Sequence, residues 1–233
     1  MDESNKPVDS PADPAELAPG TVGVGPWPTD QPLPVGPQYD PELLRDGDAR
    51  NVPDHYRYWK QEAIREDLDR LLQSGPREPT LEIAIENVGH DFNTGSIIRT
   101  ANGLGVRHVH IVGRRRFNRR GAMVTDRYLH LHYHPAVRDL VAYAAQQELT
   151  LVGMDNFPGA EPLETVVLPP RTLMVFGEES QGLTPAMQNV LERLVQITQY
   201  GSTRSLNVGH AAAISIWAWR RTYPPRPASP ADS

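Results

Sequence analysis

The 233-residue chain contains no cysteine, so neither a disulfide framework nor a thiolate metal site can exist in it. No apolar run approaches the ~20 residues that a membrane-spanning helix needs, and no basic segment leads into an apolar one near the N-terminus. The expectation is a cytoplasmic protein with no membrane partner. An excess of positive charge is also missing. The net charge is -6, a sum that by itself argues against nucleic acid. Nucleotide-binding glycine fingerprints are absent too. Gly23-Val24-Gly25 follows no strand and runs into Pro26 and Pro28, and no Gly-Lys-Ser/Thr occurs anywhere.

The distribution of charge says more than its sum. Residues 1–60 hold 11 acidic and 5 basic residues, which leaves 18 against 18 in the remainder. Within that neutral body five arginines, Arg114, Arg115, Arg116, Arg119 and Arg120, crowd into seven positions, a pattern suited to phosphate contact. Residues 1–41 carry ten of the 23 prolines, so residues 1–52 are expected to form a disordered acidic extension.

Beyond it the apolar spacing predicts one helix within 53–76, a folded domain over 77–222 and a loose tail from 223 to 233. In that domain Leu81–Val88, His108–Gly113, Leu149–Met154, Thr172–Phe176 and Val195–Ile197 read as strands. Helices are expected after Asn93 as N-cap, over Ala136–Glu148, from Thr184-Pro185 to about Leu194, and over Ala211–Arg221. Alternation of this kind indicates an α/β fold, a mainly parallel sheet flanked by helices, with ligands beyond the carboxyl ends of the strands.

Three polar turns, each following a strand, are expected to share that edge. Asn93-x-Gly95-x-x-x-Arg99 presents a helix N-terminus, a donor for anions, with an arginine on its polar side. Gly177-x-Glu179-x-x-Gly182 combines tight turns with one carboxylate. Ser205-Leu206-Asn207 places two short polar side chains at the mouth of an Ala/Ile/Trp helix, to hold a hydroxyl or to cap the helix.

Taken in order, these segments resemble the SpoU (TrmH-like) branch of the SPOUT superfamily of RNA methyltransferases, over roughly residues 81–221. The matching positions are Asn93, Gly95 and Arg99, then Gly177, Glu179 and Gly182, then Ile197, Gly201, Ser205, Leu206 and Asn207. The resemblance implies a C-terminal deep trefoil knot, a homodimer and S-adenosylmethionine bound near Gly177, Gly182, Ile197, Gly201 and Leu206. It implies methylation of a ribose 2′-hydroxyl in RNA, transfer RNA in preference to ribosomal RNA, with Arg99, Asn93, Glu179, Ser205 and Asn207 as the working residues.

An arginine with a pKa above ~12 is a poor base, so Arg99 is expected to steady a developing oxyanion or clamp a phosphate. A non-catalytic RNA-binding protein on the same fold is the alternative. Two departures stand out: Thr198-Gln199 replaces the usual Pro-Met, and Gly209-His210 replaces the usual Ser-Val. His130, His132 and His134 share one face if they lie on a strand. That spacing can bind metal, but a polar or RNA-facing surface is the favoured reading and no metal is assigned. Trp217 and Trp219 are expected to anchor the core or a dimer interface.

Overall fold

The computed structural model describes residues 23–72, 78–87, 93–114, 119–122 and 125–225. These residues divide into one unit ending at Ile64 and a second beginning at Arg65. Among the described residues no helix is long and apolar enough to cross a membrane.

The second unit is built on seven strands: β1 (Thr80–Asn87), β2 (His108–Gly113), β3 (His130–His134), β4 (Thr150–Met154), β5 (Glu161–Pro162), β6 (Arg171–Phe176) and β7 (Arg193–Gln196). They pair in the order β3-β2-β1-β6-β4-β7-β5, and every neighbouring pair is parallel. Such a sheet must be covered on both faces, because parallel pairing is made by crossovers that lie over it. The alternation in β1 does this. Ile83 and Ile85 turn toward Ile97 and Ala101 of α3 (Asn93–Gly103) and Ala212, Ile216 and Trp219 of α6 (Val208–Thr222). Ala84, on the other side, joins Leu140 and Ala144 of α4 (Val137–Gln146) and Met187 of α5 (Pro185–Gln188).

From β1 the chain moves outward to β2 and β3, then returns to build β4, β5, β6 and β7 on the far side of β1. The reversal point therefore lies between β1 and its neighbour β6, where α/β sheets open a crevice beyond the strand ends. The end of β1 and the turn after β6 are adjacent for this reason.

The helix expected to reach Leu194 stops at Gln188. Thr184 caps it as anticipated, its hydroxyl accepting from the Met187 amide at 3.2 Å. The chain is then captured by the sheet, because the Glu192 amide donates to the Leu151 carbonyl and the Leu151 amide to Glu192 Oε1, both at 3.0 Å. The last strand accordingly spans Arg193–Gln196 rather than 195–197.

The first unit departs most from expectation. Residues 1–22 lie outside the described residues, but from Gly23 the proline-rich extension is folded rather than disordered. Asp48, fully buried, accepts from Arg50 Nε at 2.8 Å and Nη2 at 2.7 Å and from the Tyr58 amide at 3.0 Å. Tyr58 returns a hydrogen bond to the Gly25 carbonyl at 2.6 Å, and its ring meets Trp27 edge-on at 5.4 Å. Between these contacts α1 (Pro41–Asp46) is capped by Asp40. A proline-rich composition hides this, because one satisfied buried carboxylate and a few interlocked aromatics order a segment that average hydropathy would leave open.

The same contacts break the single helix expected over 53–76. A short 3-10 turn (Asp54–Tyr56) precedes Tyr58, which sits at φ 62°, and only then does α2 (Gln61–Leu72) begin. The tail is tied down as far as Tyr223, whose hydroxyl donates to the Leu168 carbonyl at 2.9 Å; residues 226–233 lie outside the description.

Candidate active site

The turn after β6 shows why it needs two glycines. Glu178 and Gly182 pair across it through two backbone hydrogen bonds of 2.8 and 3.2 Å. A Cβ on Gly177 would stand 2.1 Å from the Gly182 carbonyl carbon, so any side chain there collides with backbone. Gly182 has φ +68°, and a Cβ on it would meet Asp155 Oδ2 at 2.4 Å. Asp155 follows β4 and holds the turn from outside by accepting from the Leu183 amide at 2.9 Å. From inside, Glu86 at the end of β1 accepts from the Thr184 amide at 2.8 Å and its hydroxyl at 2.7 Å. Burial, reinforced by nearby Glu178, raises the Glu86 carboxyl above its ordinary range against the opposing pull of Thr184.

Glu179 stands at the centre of this frame. Its Oε2 accepts from Val208 N at 2.8 Å, Asn93 Nδ2 at 3.2 Å and Asn207 Nδ2 at 3.3 Å. Asn207 Nδ2 also donates to Asn93 Oδ1 at 3.0 Å. The three polar turns thus converge on one carboxylate, as the strand order requires. Asn207 is the N-cap of α6, its Oδ1 accepting from Gly209 N at 3.0 Å and His210 N at 3.4 Å. Glu179 at the same helix end meets a positive dipole. Asn93 is not the cap expected of it. It lies within α3, and its amide serves Glu179 and Asn207 instead. Gly209 is buried, and a Cβ there would lie 3.1 Å from Asn207 Oδ1 and 3.4 Å from Ser96 Oγ. The unusual glycine therefore lets the mouth of α6 approach α3 closely.

Beside Glu179 opens a cavity of about 250 Å³ lined by Gly177, Gly182, Ile197, Ser205 and Leu206, with apolar walls that include Phe157 and Val208. Gly201 does not line it; it is exposed, and a Cβ there would meet nothing within 4 Å. Ser205 is exposed at the rim. Arg99 is exposed on α3 and makes no hydrogen bond or ion pair among the described residues. Sequence reasoning missed Asp155, Asn156 and Glu86. Asn156 Nδ2 donates to the Arg204 carbonyl at 2.6 Å and so ties the loop before Ser205 to the end of β4. An acidic or amide residue just past a strand end was the available signal. Gln199 was seen only as a departure. It lines the cavity, and its Oε1 is buried without a hydrogen-bond partner among the described residues.

A larger cavity, about 640 Å³, lies at the opposite, amino ends of the strands. Its arginines are already committed: Arg107 to Asp69 and the Tyr128 carbonyl, Arg171 to the Gln147 carbonyl, Arg220 to the Gly105 carbonyl. The polar network beside Glu179 is the better candidate for chemistry.

The SpoU rRNA Methylase family model matches residues 80–217, which is more than half of the chain. The chain belongs to the SpoU methylase family. A tRNA (guanosine(18)-2′-O)-methyltransferase of Thermus thermophilus is 25% identical over 166 residues, 70% of this chain and 84% of that protein. The Escherichia coli protein of the same name is 26% identical over 148 residues, 62% of this chain and 65% of that protein. Among solved structures, the SpoU methyltransferase AviRb from Streptomyces viridochromogenes matches with a TM-score of 0.56 and 25% identity, over 67% of this chain and 63% of that one.

In this SpoU methylase the arginine cluster is only partly visible. Arg114 is exposed, Arg115 and Arg116 lie outside the described residues, and only the backbone of Arg119 and Arg120 is described. That backbone forms a 3-10 turn, Arg119–Ala122, packed against the start of α3. A Cβ on Gly121 would lie 3.0 Å from Ser96 N and 3.2 Å from the Gly95 carbonyl carbon. The end of the arginine segment therefore sits against the first motif.

The three histidines of β3 do share one face, but not an open surface. They stack on His108 and His110 of β2 with ring centroids 4.7 to 5.2 Å apart. His108 Nδ1 and His132 Nε2 are hydrogen-bonded at 2.9 Å, as are His110 Nδ1 and His134 Nε2. His110 Nε2 meets Glu82 Oε2 at 2.8 Å, Tyr143 donates to the same oxygen at 3.0 Å, and His130 meets Asp69 at 2.9 Å. Acidic partners thus exist, supplied by β1 and α2 rather than by neighbours in sequence. Among the described residues no group of three is arranged to hold a metal ion.

Proposed function

We propose that this chain transfers a methyl group from S-adenosylmethionine to a ribose 2′-hydroxyl of RNA. The observation that carries the reading is the junction of Asn93, Glu179 and Asn207 at the lip of a cavity placed at the sheet's reversal point. The cavity suits that donor: its apolar walls fit a flat purine, and Asp155, Glu178 and Glu179 among its lining place carboxylates beside it.

The bound sulfonium supplies an already electrophilic methyl group, so what remains for the protein is alignment and charge management. In this reading the ribose 2′-oxygen takes the methyl and gives its proton to solvent water as the neutral thioether leaves. Ser205 holds the hydroxyl in line, Glu179 with Asn93 and Asn207 fixes the mouth of α6, and Gly177, Gly182, Ile197 and Leu206 are assigned to the donor, while Gly201, outside the cavity lining, is not. Arg99, uncommitted among the described residues, stabilises the developing oxyanion or holds the adjacent phosphate. Arg114, Arg115, Arg116, Arg119 and Arg120 contact the RNA backbone.

Transfer RNA is the preferred substrate, a choice supported by the names of the Thermus and Escherichia relatives. The reading includes a C-terminal trefoil knot, supported by likeness to solved SpoU folds, a cytoplasmic setting and a homodimer. For the dimer the support is one exposed stripe of α6: His210, Ile214, Trp217 and Arg221, with Trp217 54% exposed beneath the Arg221 guanidinium. Trp219, by contrast, is fully buried in the core.

The test incubates the purified chain with labelled methyl donor and fractionated cellular RNA and maps the product. Label on a transfer-RNA ribose is expected. Label confined to bases, or none with any RNA, overturns the reading.

A further inference from the structure

The loop from β7 to α6 leaves the cavity wall at Gln199 and returns to it at Ser205, and between the two it carries Tyr200 into solvent. Tyr200 is 90% exposed, more than any other tyrosine, tryptophan or phenylalanine among the described residues. Its side chain makes no hydrogen bond and no ring contact among them. The loop is nonetheless held at both feet. Thr198 donates twice to Glu164, its amide to Oε1 at 3.0 Å and its hydroxyl to Oε2 at 2.9 Å. Proline, usual at that position in related sequences, has neither an amide N–H nor a hydroxyl and could make neither bond. At the other foot Asn156 Nδ2 donates to the Arg204 carbonyl at 2.6 Å, and Thr203 Oγ1 to the Ser205 carbonyl at 3.1 Å.

One exposed ring alone would need no explanation; its place and its neighbours do. A surface for docking another protein would surround the ring with further apolar residues, whereas Gly201, Ser202, Thr203 and Arg204 are all exposed and are small, polar or charged. The Arg204 guanidinium forms no hydrogen bond or ion pair among the described residues. A flat ring and an uncommitted guanidinium on one short loop match a nucleotide, the ring stacking on its base and the guanidinium meeting a phosphate. The reach is also suitable. Successive Cα atoms stand about 3.8 Å apart, so Tyr200 starts one residue from the cavity wall and five from Ser205, the residue assigned to the ribose.

We propose that Tyr200 binds the RNA substrate, its ring stacking on an unstacked base beside the ribose that receives the methyl group. This assignment rests on the methyl-transfer reading of the site. It gives Thr198 a purpose as well, since the bonds to Glu164 brace the loop that presents the ring.

The experiment measures initial rates of methyl transfer by the full chain from labelled S-adenosylmethionine across a concentration series of total cellular RNA. Tyr200→Ala should raise the KM for RNA by about five- to a hundredfold, the range set by one lost base–aromatic stack. Its kcat, and its affinity for S-adenosylhomocysteine by calorimetry, should stay at the wild-type values. Tyr200→Phe keeps the ring and should match wild type. Because the side chain touches nothing else in the described chain, urea midpoints and the mass in size-exclusion chromatography should be the same for all three proteins. A wild-type KM in Tyr200→Ala overturns the assignment, and so does a Tyr200→Phe variant as weak as the alanine one, which would put the hydroxyl and not the ring to use. Weakened donor affinity or an altered mass in Tyr200→Ala also overturns it, by placing the ring against the donor or a second copy. No transfer to RNA by wild type overturns the methyl-transfer reading and this assignment with it, an outcome distinct from transfer that proceeds with an unchanged KM.

Discussion

Acid should destabilise this protein, and four rings of the five-histidine ladder say where. His108, His110, His132 and His134 are all held below the ordinary imidazole range, in each case chiefly because burial disfavours the charged ring. Neighbouring imidazoles push the same way, while Glu82 and, at His134, Asp139 oppose it. The hydrogen bonds are consistent with a neutral ladder, His110 donating through Nε2 to an ionised Glu82 and accepting through Nδ1 from His134. Burial by itself would raise Glu82, but the His110 bond and the surrounding imidazoles hold it low.

The sign follows from linkage. The native rings are neutral and the unfolded ones titrate near 6.5, so the unfolded chain binds more protons as pH falls below that value. The contribution is complete above about pH 6.5 and is lost as pH drops through the native values. Each ring adds a slope of about 1.4 kcal/mol per pH unit, so the four set a ceiling of about 5 kcal/mol per unit. His108 and His132 are only partly buried, so the observed slope should fall short of that ceiling. Against a domain stability of about 5–15 kcal/mol, even part of that slope is a measurable loss on acidification below pH 6.5. Urea titrations at pH 7.5, 6.5 and 5.5 measure the slope, and His108→Gln with His132→Gln should flatten it. Stability that is level, or rises, from pH 7.5 to 5.5 would refute the reasoning.

Four further outcomes can be checked. Glu179→Gln weakens the anchor for Val208, Asn93 and Asn207 and should lower stability by about 1–3 kcal/mol in urea unfolding, with methyl transfer falling alongside. An unchanged midpoint would remove Glu179 from the centre of the site. Arg99→Lys keeps the charge but loses the fork, and should reduce single-turnover transfer about 10²-fold without altering donor affinity; full activity sinks the clamp. Gly177→Ala must displace the Gly182 backbone, so calorimetry should show donor affinity falling at least ~10-fold, a buried backbone clash being worth more than 1.4 kcal/mol. Trp219→Ala empties the centre of the core under α6 and frees the Pro169 carbonyl, and should cost about 3–5 kcal/mol of unfolding free energy.

The sequence by itself determined the class of the fold and the identity of the three motifs. Alternating strands and helices, with apolar faces at the right periods, leave little choice but a parallel sheet covered on both sides. Glycines at 177 and 182 and short polar residues at 93, 205 and 207 already marked turns that touch something. These are local properties, set by backbone sterics and side-chain reach, and they are readable wherever the pattern is strong.

What only the tertiary structure decided are the pairings between distant segments. That Glu179 joins Asn93 to Asn207 depends on β1 and β6 being neighbours, a fact no spacing contains. Glu82 and His110, 28 residues apart, and Asp69 and His130, 61 apart, turn an apparent row of surface histidines into a half-buried ladder. Asp48 likewise folds a stretch whose prolines predicted disorder, by capturing Arg50 and Tyr58. Gln199 was visible from the start as an odd residue in a familiar place. Only three dimensions showed its oxygen buried with nothing to accept from, because burial and partnership belong to the packed chain and not to any one position in it.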